Sequence, residues 1–262
     1  LGERPRAIVT TTPRPVPLLK RLLADPATVT TGGPSRANPH VAEDFIEAVE
    51  AAHGGTRFGR QEIEGVLVDD LEGALWSRAL IEKSRQSGIP PREQLKRVVV
   101  GVDPPASAEG TCGIVVCGLG ADGIAYVLAD LSATGLGPDG WARRVAGAFA
   151  AWDAQRVVAE ANNGGKMVEQ VLRGAEAGLP LTLVHAAENK AARAEPVMVA
   201  FENGRARLAG RFPELEDEMA GIIYGGDYRG PGSSPDRADA MVWAVTELAV
   251  KPQRAPPRIR VL

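Results

Sequence analysis

The sequence predicts an α/β protein built on one mixed β-sheet with helices on both faces, preceded by part of another α/β domain. Three observations predict it. Three apolar runs, residues 98–102, 111–118 and 123–131, follow one another with only turn-forming residues between them, as antiparallel neighbours do. After them, helical and extended patterns alternate, as in parallel strands joined by crossover helices. The first and fourth strands of the series both end on a carboxylate, Asp103 and Glu160, so a buried sheet carries charge to one of its edges.

The elements follow in order. Residues 7–10 read as a strand, 16–24 as a helix and 28–31 as a second strand, which together resemble the close of an α/β unit. Residues 41–52 have helical apolar spacing, and His53-Gly54-Gly55 ends that helix in the way glycine commonly does. From 58 to 86 the chain is charged and only partly periodic. "SGIPPREQ" then opens a turn-rich linker. The expected division is 1–86 for the end of the preceding domain with its connecting helices, 87–96 for the linker, 97–250 for the sheet domain, and 251–262 for a basic, proline-rich tail. Within the sheet domain "LGADG", residues 119–123, makes a hairpin turn. A helix over 138–152, a strand over 156–160 ending at "NNGG", a helix over 166–177, a strand over 181–185 and a helix over 190–202 follow. Residues 204–209 read as a short β-ribbon, and 235–250 as a last helix with a proline in its first turn. The fourth strand must cross over to pair parallel with an earlier one, and the first is the partner that brings the two carboxylates together. Three antiparallel strands, then helix–strand–helix–strand, is the order of the ribonuclease H-like fold.

Composition sets limits. With 262 residues, 44% of them hydrophobic, the chain can bury a core for one large domain or for one domain and part of another. Its formal charge of −3 means that nucleic-acid binding must come from a local basic patch. Cys112 and Cys117 lie in a strand without metal-ligand spacing and read as small core residues. His40, His53 and His185 show no metal or triad spacing. No run approaches the ~20 apolar residues that span a bilayer, so the expected setting is the cytoplasm and no membrane partner is expected. No G-x-x-x-x-G-K-[ST] loop occurs in the sequence.

The carboxylates carry the chemistry. Neighbouring strands lie ~5 Å apart, so Asp103 and Glu160 would repel unless a proton or a cation stood between them. Asp236 and Asp239 are three apart on the last helix and share a face, on which Asp239 also has Val242 and Trp243 for company. An acid on an apolar helix face is costly without a partner. Oxygen donors without histidine or cysteine suit Mg²⁺ or Mn²⁺, and two such ions can serve phosphodiester hydrolysis. Simpler readings exist: Asp103 before two prolines can form an Asx-turn, and Asp236 can complement a helix dipole.

Taken together, "VVVGVDPPA", "VVAEANNGG", "AENKAARAEPV" and "SPDRADAMVWA", with "VTTTPRP" and "RFGRQEIEG" upstream, resemble the C-terminal part of the large terminase subunit of tailed bacteriophages and gene transfer agents. The resemblance implies a metal-dependent endonuclease of a DNA-packaging motor, cutting concatemeric double-stranded DNA. Asp103, Glu160 and Asp239 would be its acids and Asp236 a helper, with Mg²⁺ or Mn²⁺ as cofactor. It implies that Thr10, Thr11 and Thr12 belong to the motif coupling ATP hydrolysis to movement. The phosphate-binding loop and acidic Walker B segment of that family are missing here, so ATP is expected to act only in a longer protein. Lys190 and Arg193 fall in the family's "K..R" segment and would contact a DNA phosphate, the alternative being a solvated helix face. Arg205, Arg207 and Arg211 lie on or beside the ribbon, where alternate residues on one face suit a phosphate backbone. The implied partners are double-stranded DNA, the portal protein (with the basic tail docking on it) and the small terminase subunit, in the host bacterial cytoplasm. Two other readings compete. An actin- or Hsp70-like ATPase of the same superfold would carry a Gly-Thr phosphate loop where this chain has "DPPASAEG". A non-catalytic motor component would keep the acids for structure.

Overall fold

The computed structural model describes residues 6–12, 17–53, 63–67, 70–86, 88–107, 109–162 and 165–250. The chain divides into two compact units, Leu1–Asp70 and Leu71–Leu262.

In the first unit the described residues form helices α1 (Pro17–Ala24) and α2 (Glu43–His53), with one 3-10 turn at Ser35–Ala37. Both expected strands of this unit are absent: residues 7–10 and 28–30 have no regular structure, and neither does Thr31. A strand persists only when its N–H and C=O groups find partners and one face is covered. Here Ile8 is 92% and Val29 88% exposed, and no described neighbour supplies a ladder.

The second unit holds α3 (Arg78–Lys83), β1 (Leu95–Asp103), β2 (Thr111–Gly120), β3 (Ala125–Asp130), β4 (Ala133–Thr134), α4 (Pro138–Ala151), β5 (Arg156–Glu160), α5 (Gly165–Ala175), β6 (Leu181–Val184), α6 (Lys190–Glu202), β7 (Ala206–Leu208), α7 (Pro213–Met219) and α8 (Asp236–Val245). A π-helical turn, Thr246–Val250, continues α8. The sheet has seven strands in the order β6-β5-β1-β2-β3-β7, with β4 beside β2. β1, β2 and β3 are antiparallel neighbours, while β5 and β6 continue the sheet in parallel from β1. The expected β-ribbon over 204–209 is instead one strand, β7, which closes the other edge by pairing parallel with β3. Its Ala206 and Leu208 are buried against the core and Arg207 is exposed, so the period-2 pattern serves a sheet edge and not a hairpin.

Alternation along β1 decides what each face meets. Val98, Val100 and Val102 pack with Trp141 and Val145 of α4 and with Val168 and Leu172 of α5. Val99 faces the other way, toward Val197 and Phe201 of α6, Met219 of α7 and Met241 and Val242 of α8. By the same period Gly101 and Asp103 face α8. Two glycines let that helix close in: a Cβ on Gly101 would lie 2.0 Å from the Ala240 carbonyl oxygen, and one on Gly113 1.9 Å from that of Asp236. Residues 71–86, which the sequence groups with the preceding domain, pack here as well, with Trp76 and Ile81 buried in this core. Cys112 and Cys117 are buried as expected, and burial pushes both thiols well above their ordinary range. Among the described residues no helix is long and apolar enough to cross a membrane.

Candidate active site

The parallel register pairs Val102 of β1 with Ala159 of β5. One residue further on, Asp103 and Glu160 end the two strands side by side. The first turn of α8 brings Asp236 and Asp239 to the same edge. Three carboxylates, Asp103, Glu160 and Asp236, therefore line one cleft of ≈ 480 Å³ with Pro104, Asn162, Lys190, Arg193 and Ser234, and the fourth, Asp239, is buried behind Lys190 and Arg193.

Each acid has a different environment. Asp239 is 1% exposed and both of its oxygens meet cations. Arg193 Nη2 donates to Oδ1 at 3.1 Å, and Lys190 Nζ lies 2.7 Å from Oδ2. Glu160 accepts at Oε2 from Arg193 Nη1 (3.1 Å) and from the Trp243 indole N–H (2.8 Å), and at Oε1 from the Asn162 amide (2.9 Å). The Arg193 guanidinium also sits 5.0 Å above the centre of the Trp243 ring, a cation–π arrangement. Asp103 accepts no hydrogen bond from the described residues. Burial raises its pKa well above the usual carboxylate range, and the charges of Asp239, Glu160 and Asp236 push in the same direction. Burial also raises Asp239, against the pull of Lys190 and Arg193. It raises Asp236 too, opposed by a hydrogen bond from Ser234 and by Lys190.

Local structure places the cations. Asn189 caps α6 by accepting the N–H of Ala192 at 2.9 Å, which starts the helix so that Lys190 and Arg193, three apart, point at the sheet edge. Lys190 Nζ additionally donates to Ser234 Oγ at 2.7 Å. The start of α8 is held from outside. Pro235 has no side chain able to cap, and Glu218 of α7 does so instead, its Oε2 accepting from the N–H groups of Arg237 (2.8 Å) and Ala238 (3.1 Å). Burial lifts Glu218 from 4.5 to about 8. Its neighbours on α7 are paired as well: Glu216 holds Arg85 through two hydrogen bonds of 2.8 and 2.9 Å, and Asp217 pairs with Arg78.

The donor set fits a hard divalent cation. It is all oxygen, the Asp103 carboxyl has no hydrogen-bonding partner among the described residues, and buried Asp239 Oδ2 lacks a well-directed hydrogen bond. Among the described residues no three acidic, histidine or cysteine side chains converge as a ready-made cage, because Lys190 and Arg193 stand between them.

The structure thus brings Asp103, Glu160, Asp236, Asp239, Lys190 and Arg193 together. It does not bring Arg205 and Arg207 there. They flank or lie on β7, three strand positions (roughly 14 Å) across the sheet from β1. Arg211 follows β7 in the chain. Thr10, Thr11 and Thr12 lie in the first unit, where the Thr11 hydroxyl donates to the Thr12 carbonyl at 2.9 Å. The tail over 251–262 lies outside the described residues. Sequence reasoning missed Asn162, Ser234, the Trp243 N–H and the Glu218 cap. Only the Trp243 indole left a signal, since it shares a helix face with Asp239 and needs an acceptor when buried.

Residues 100–248 match the model of a family described as the terminase RNaseH-like domain. Among solved structures, the chain is similar to the large terminase nuclease of the thermophilic phage G20c with bound magnesium, at TM-score 0.51 and 12% identity, over 68% of this chain and 98% of that one. It is similar to the P22 large terminase nuclease domain at TM-score 0.51 and 12% identity, over 64% and 90%. For the large terminase of a further thermophilic bacteriophage the values are 0.53 and 12%, over 80% of this chain and 52% of that one, so the chain spans about half of that protein. At such identities the likeness is one of fold, and the fold is ribonuclease H-like. No curated protein matches the chain in sequence.

Proposed function

The chain belongs to the terminase RNaseH-like domain family, and on that premise we propose that it is the nuclease of a DNA-packaging motor, an endonuclease that hydrolyses double-stranded DNA with Mg²⁺ or Mn²⁺. The observation that carries the reading is the meeting of Asp103 and Glu160, at the ends of paired strands, with Asp236 and Asp239 of α8. These four residues would hold the metal. A pair of divalent ions so held would make a water molecule a better nucleophile and offset the negative charge that grows on the phosphate.

The chain's own groups do the rest. Trp243 and Asn162 hold the Glu160 carboxylate from both sides, so it meets its ligand in one orientation. Arg193 ties Glu160 to Asp239 and keeps the two acids together despite their repulsion. The Asp103 carboxyl accepts no hydrogen bond from the described residues and burial raises its pKa, so a bound divalent ion would favour its ionised form. Lys190 is the most exposed cation bordering the acids and faces the space a phosphodiester would enter.

Residues 1–86 would close a packaging ATPase domain, with Thr10, Thr11 and Thr12 in its coupling motif and its last stretch, 71–86, packed on the sheet-domain core; 87–96 would be a linker and 97–250 the nuclease. ATP would be used only by a longer protein containing them. Arg205, Arg207 and Arg211 would contact DNA away from the cut. The portal and the small terminase subunit are the proposed partners, the tail over 251–262 the proposed portal contact, and the host cytoplasm the proposed location. The test is supercoiled and linear DNA incubated with the chain in Mg²⁺ or Mn²⁺. Nicking and cutting with little sequence preference, abolished by EDTA, is expected. Cleavage that persists in EDTA would overturn the reading, as would no cleavage in either metal.

A further inference from the structure

We infer that Lys190 is a displaceable resident cation, whose ammonium occupies the place beside Asp239 that a divalent ion takes in the working site and leaves it when that ion arrives. The inference rests on the nuclease reading above and concerns how its site is kept before metal binds.

Asp239 has no free oxygen. Arg193 stands at Oδ1 and Lys190 at Oδ2, so a divalent ion arriving at this carboxylate would stand against one of the two cations and repel it. The two cations are not equally able to withdraw. The Arg193 side chain is 9% exposed, bridges Asp239 and Glu160, and lies over the Trp243 ring. Removing it would strand two buried carboxylates. The Lys190 side chain is 36% exposed and makes one ion pair, to Asp239. Its other contact is the neutral Ser234 hydroxyl. A lysine ammonium is a point charge on a flexible four-carbon stem, so it can swing away without losing a bidentate geometry. The missing hydrogen bond points the same way: at 2.7 Å the ammonium neutralises Asp239 Oδ2, yet the atom has no well-directed donor. One cation thus replaces another at a buried carboxylate, and the site avoids the repulsion it would suffer when empty. Once released, the ammonium remains in the cleft beside Ser233 and Ser234, where it would meet a DNA phosphate.

The test uses the full 262-residue chain and Mn²⁺ alone, without DNA. The reactivity of Lys190 toward an acylating reagent is followed by peptide mass spectrometry in EDTA and in saturating Mn²⁺, with Lys96 as the internal control. Labelling of Lys190 should rise several-fold in Mn²⁺ while Lys96 stays constant. The Lys190→Met variant, which keeps the stem and loses the charge, should melt lower than the parent in EDTA and gain more from Mn²⁺. Calorimetry should show it binding Mn²⁺ roughly tenfold more tightly. Tighter binding alone would also follow from lost repulsion, so the labelling of the parent decides displacement even if the variant folds poorly. If the parent binds Mn²⁺ and Lys190 is labelled equally or less in its presence, the lysine stays with the metal and this inference fails while the nuclease reading stands. If the parent binds no Mn²⁺, both fail.

Discussion

Asp103 and Asp239 are the same residue type, meet at one sheet edge, and should respond to neutralisation to different extents. Asp103 has three carboxylates around it and its carboxyl accepts no hydrogen bond from the described residues, so ionising it is costly in the metal-free protein. Asp103→Asn should therefore raise the melting temperature in EDTA, or leave it unchanged, while Mn²⁺ stabilises the variant less than the parent. Cleavage should fall by orders of magnitude, because the group that helps position the attacking water is lost. Asp239→Asn also removes a buried charge but takes a partner from Lys190 and Arg193, so it should raise the melting temperature in EDTA less than Asp103→Asn does. Paired melting curves in EDTA and Mn²⁺ check both. If both variants lose stability in EDTA and still cut DNA, the acids are structural.

At the scale of elements, the position of α8 governs the site, and two contacts set it. The first is the glycine pair beneath the helix. Gly113→Ala would put a methyl 1.9 Å from the Asp236 carbonyl oxygen, which forces the helix outward. It should cost about 1–3 kcal/mol or more and weaken Mn²⁺ binding, since Asp236 and Asp239 move with the helix. Gly147→Ala on α4 is the control: its added Cβ meets nothing within 4 Å, and the change should be neutral or stabilise by about 0.5–1 kcal/mol. Equal effects of the two on Mn²⁺ affinity would show that the close approach does not matter. The second contact is the Glu218 cap. Burial raises Glu218 from 4.5 to about 8, so the folded protein holds this proton more tightly than the unfolded chain. Stability from this group is therefore full at low pH and is lost as pH climbs from about 5 to 8. Glu218→Gln keeps an oxygen for the two N–H groups of α8 and cannot ionise. In EDTA its melting temperature should fall less steeply over that range than the parent's. The parent and variant slopes will not become flat, because Asp103, Asp236 and Asp239 are raised too and act in the same sense.

For the whole molecule, the informative boundary is Asp70–Leu71 and not the proline-rich linker. Trp76 and Ile81 fill the core under α6 and α7, Arg85 pairs with buried Glu216, and Arg78 pairs with Asp217. A fragment over 71–262 should fold cooperatively and bind Mn²⁺ as the full chain does. A fragment over 97–262 would leave Glu216 and Asp217 buried without their arginines, a loss of roughly 3–5 kcal/mol per pair, together with an apolar hole. It should be aggregated or only partly folded. Circular dichroism and thermal melts of the two fragments make the comparison, and equal stability would show that 71–96 is merely a tether.

The sequence on its own carries the sheet and the carboxylates that end two of its strands. Period-2 apolar runs, turn residues and helical spacing are local signals, and they were enough to pair β1 with β2, β2 with β3 and β1 with β5, and to bring Asp103 and Glu160 to one edge. It misjudged residues 7–10 and 28–31, because an apolar run becomes a strand only when another strand is there to pair with it. It read residues 204–209 as a ribbon for the same reason: the alternation of Ala206, Arg207 and Leu208 says that one face is buried and not which strand lies alongside. Tertiary structure alone decided how the acids are balanced. Lys190 and Arg193 could have faced solvent with the same spacing, and only the approach of α6 to the sheet edge turns them onto Asp239 and Glu160. The Glu218 cap and the glycine seat of α8 join residues far apart in the chain, so no local pattern could announce them. Burial is also a property of the folded whole, and it raises both Asp103 and Asp239, the second against the pull of Lys190 and Arg193.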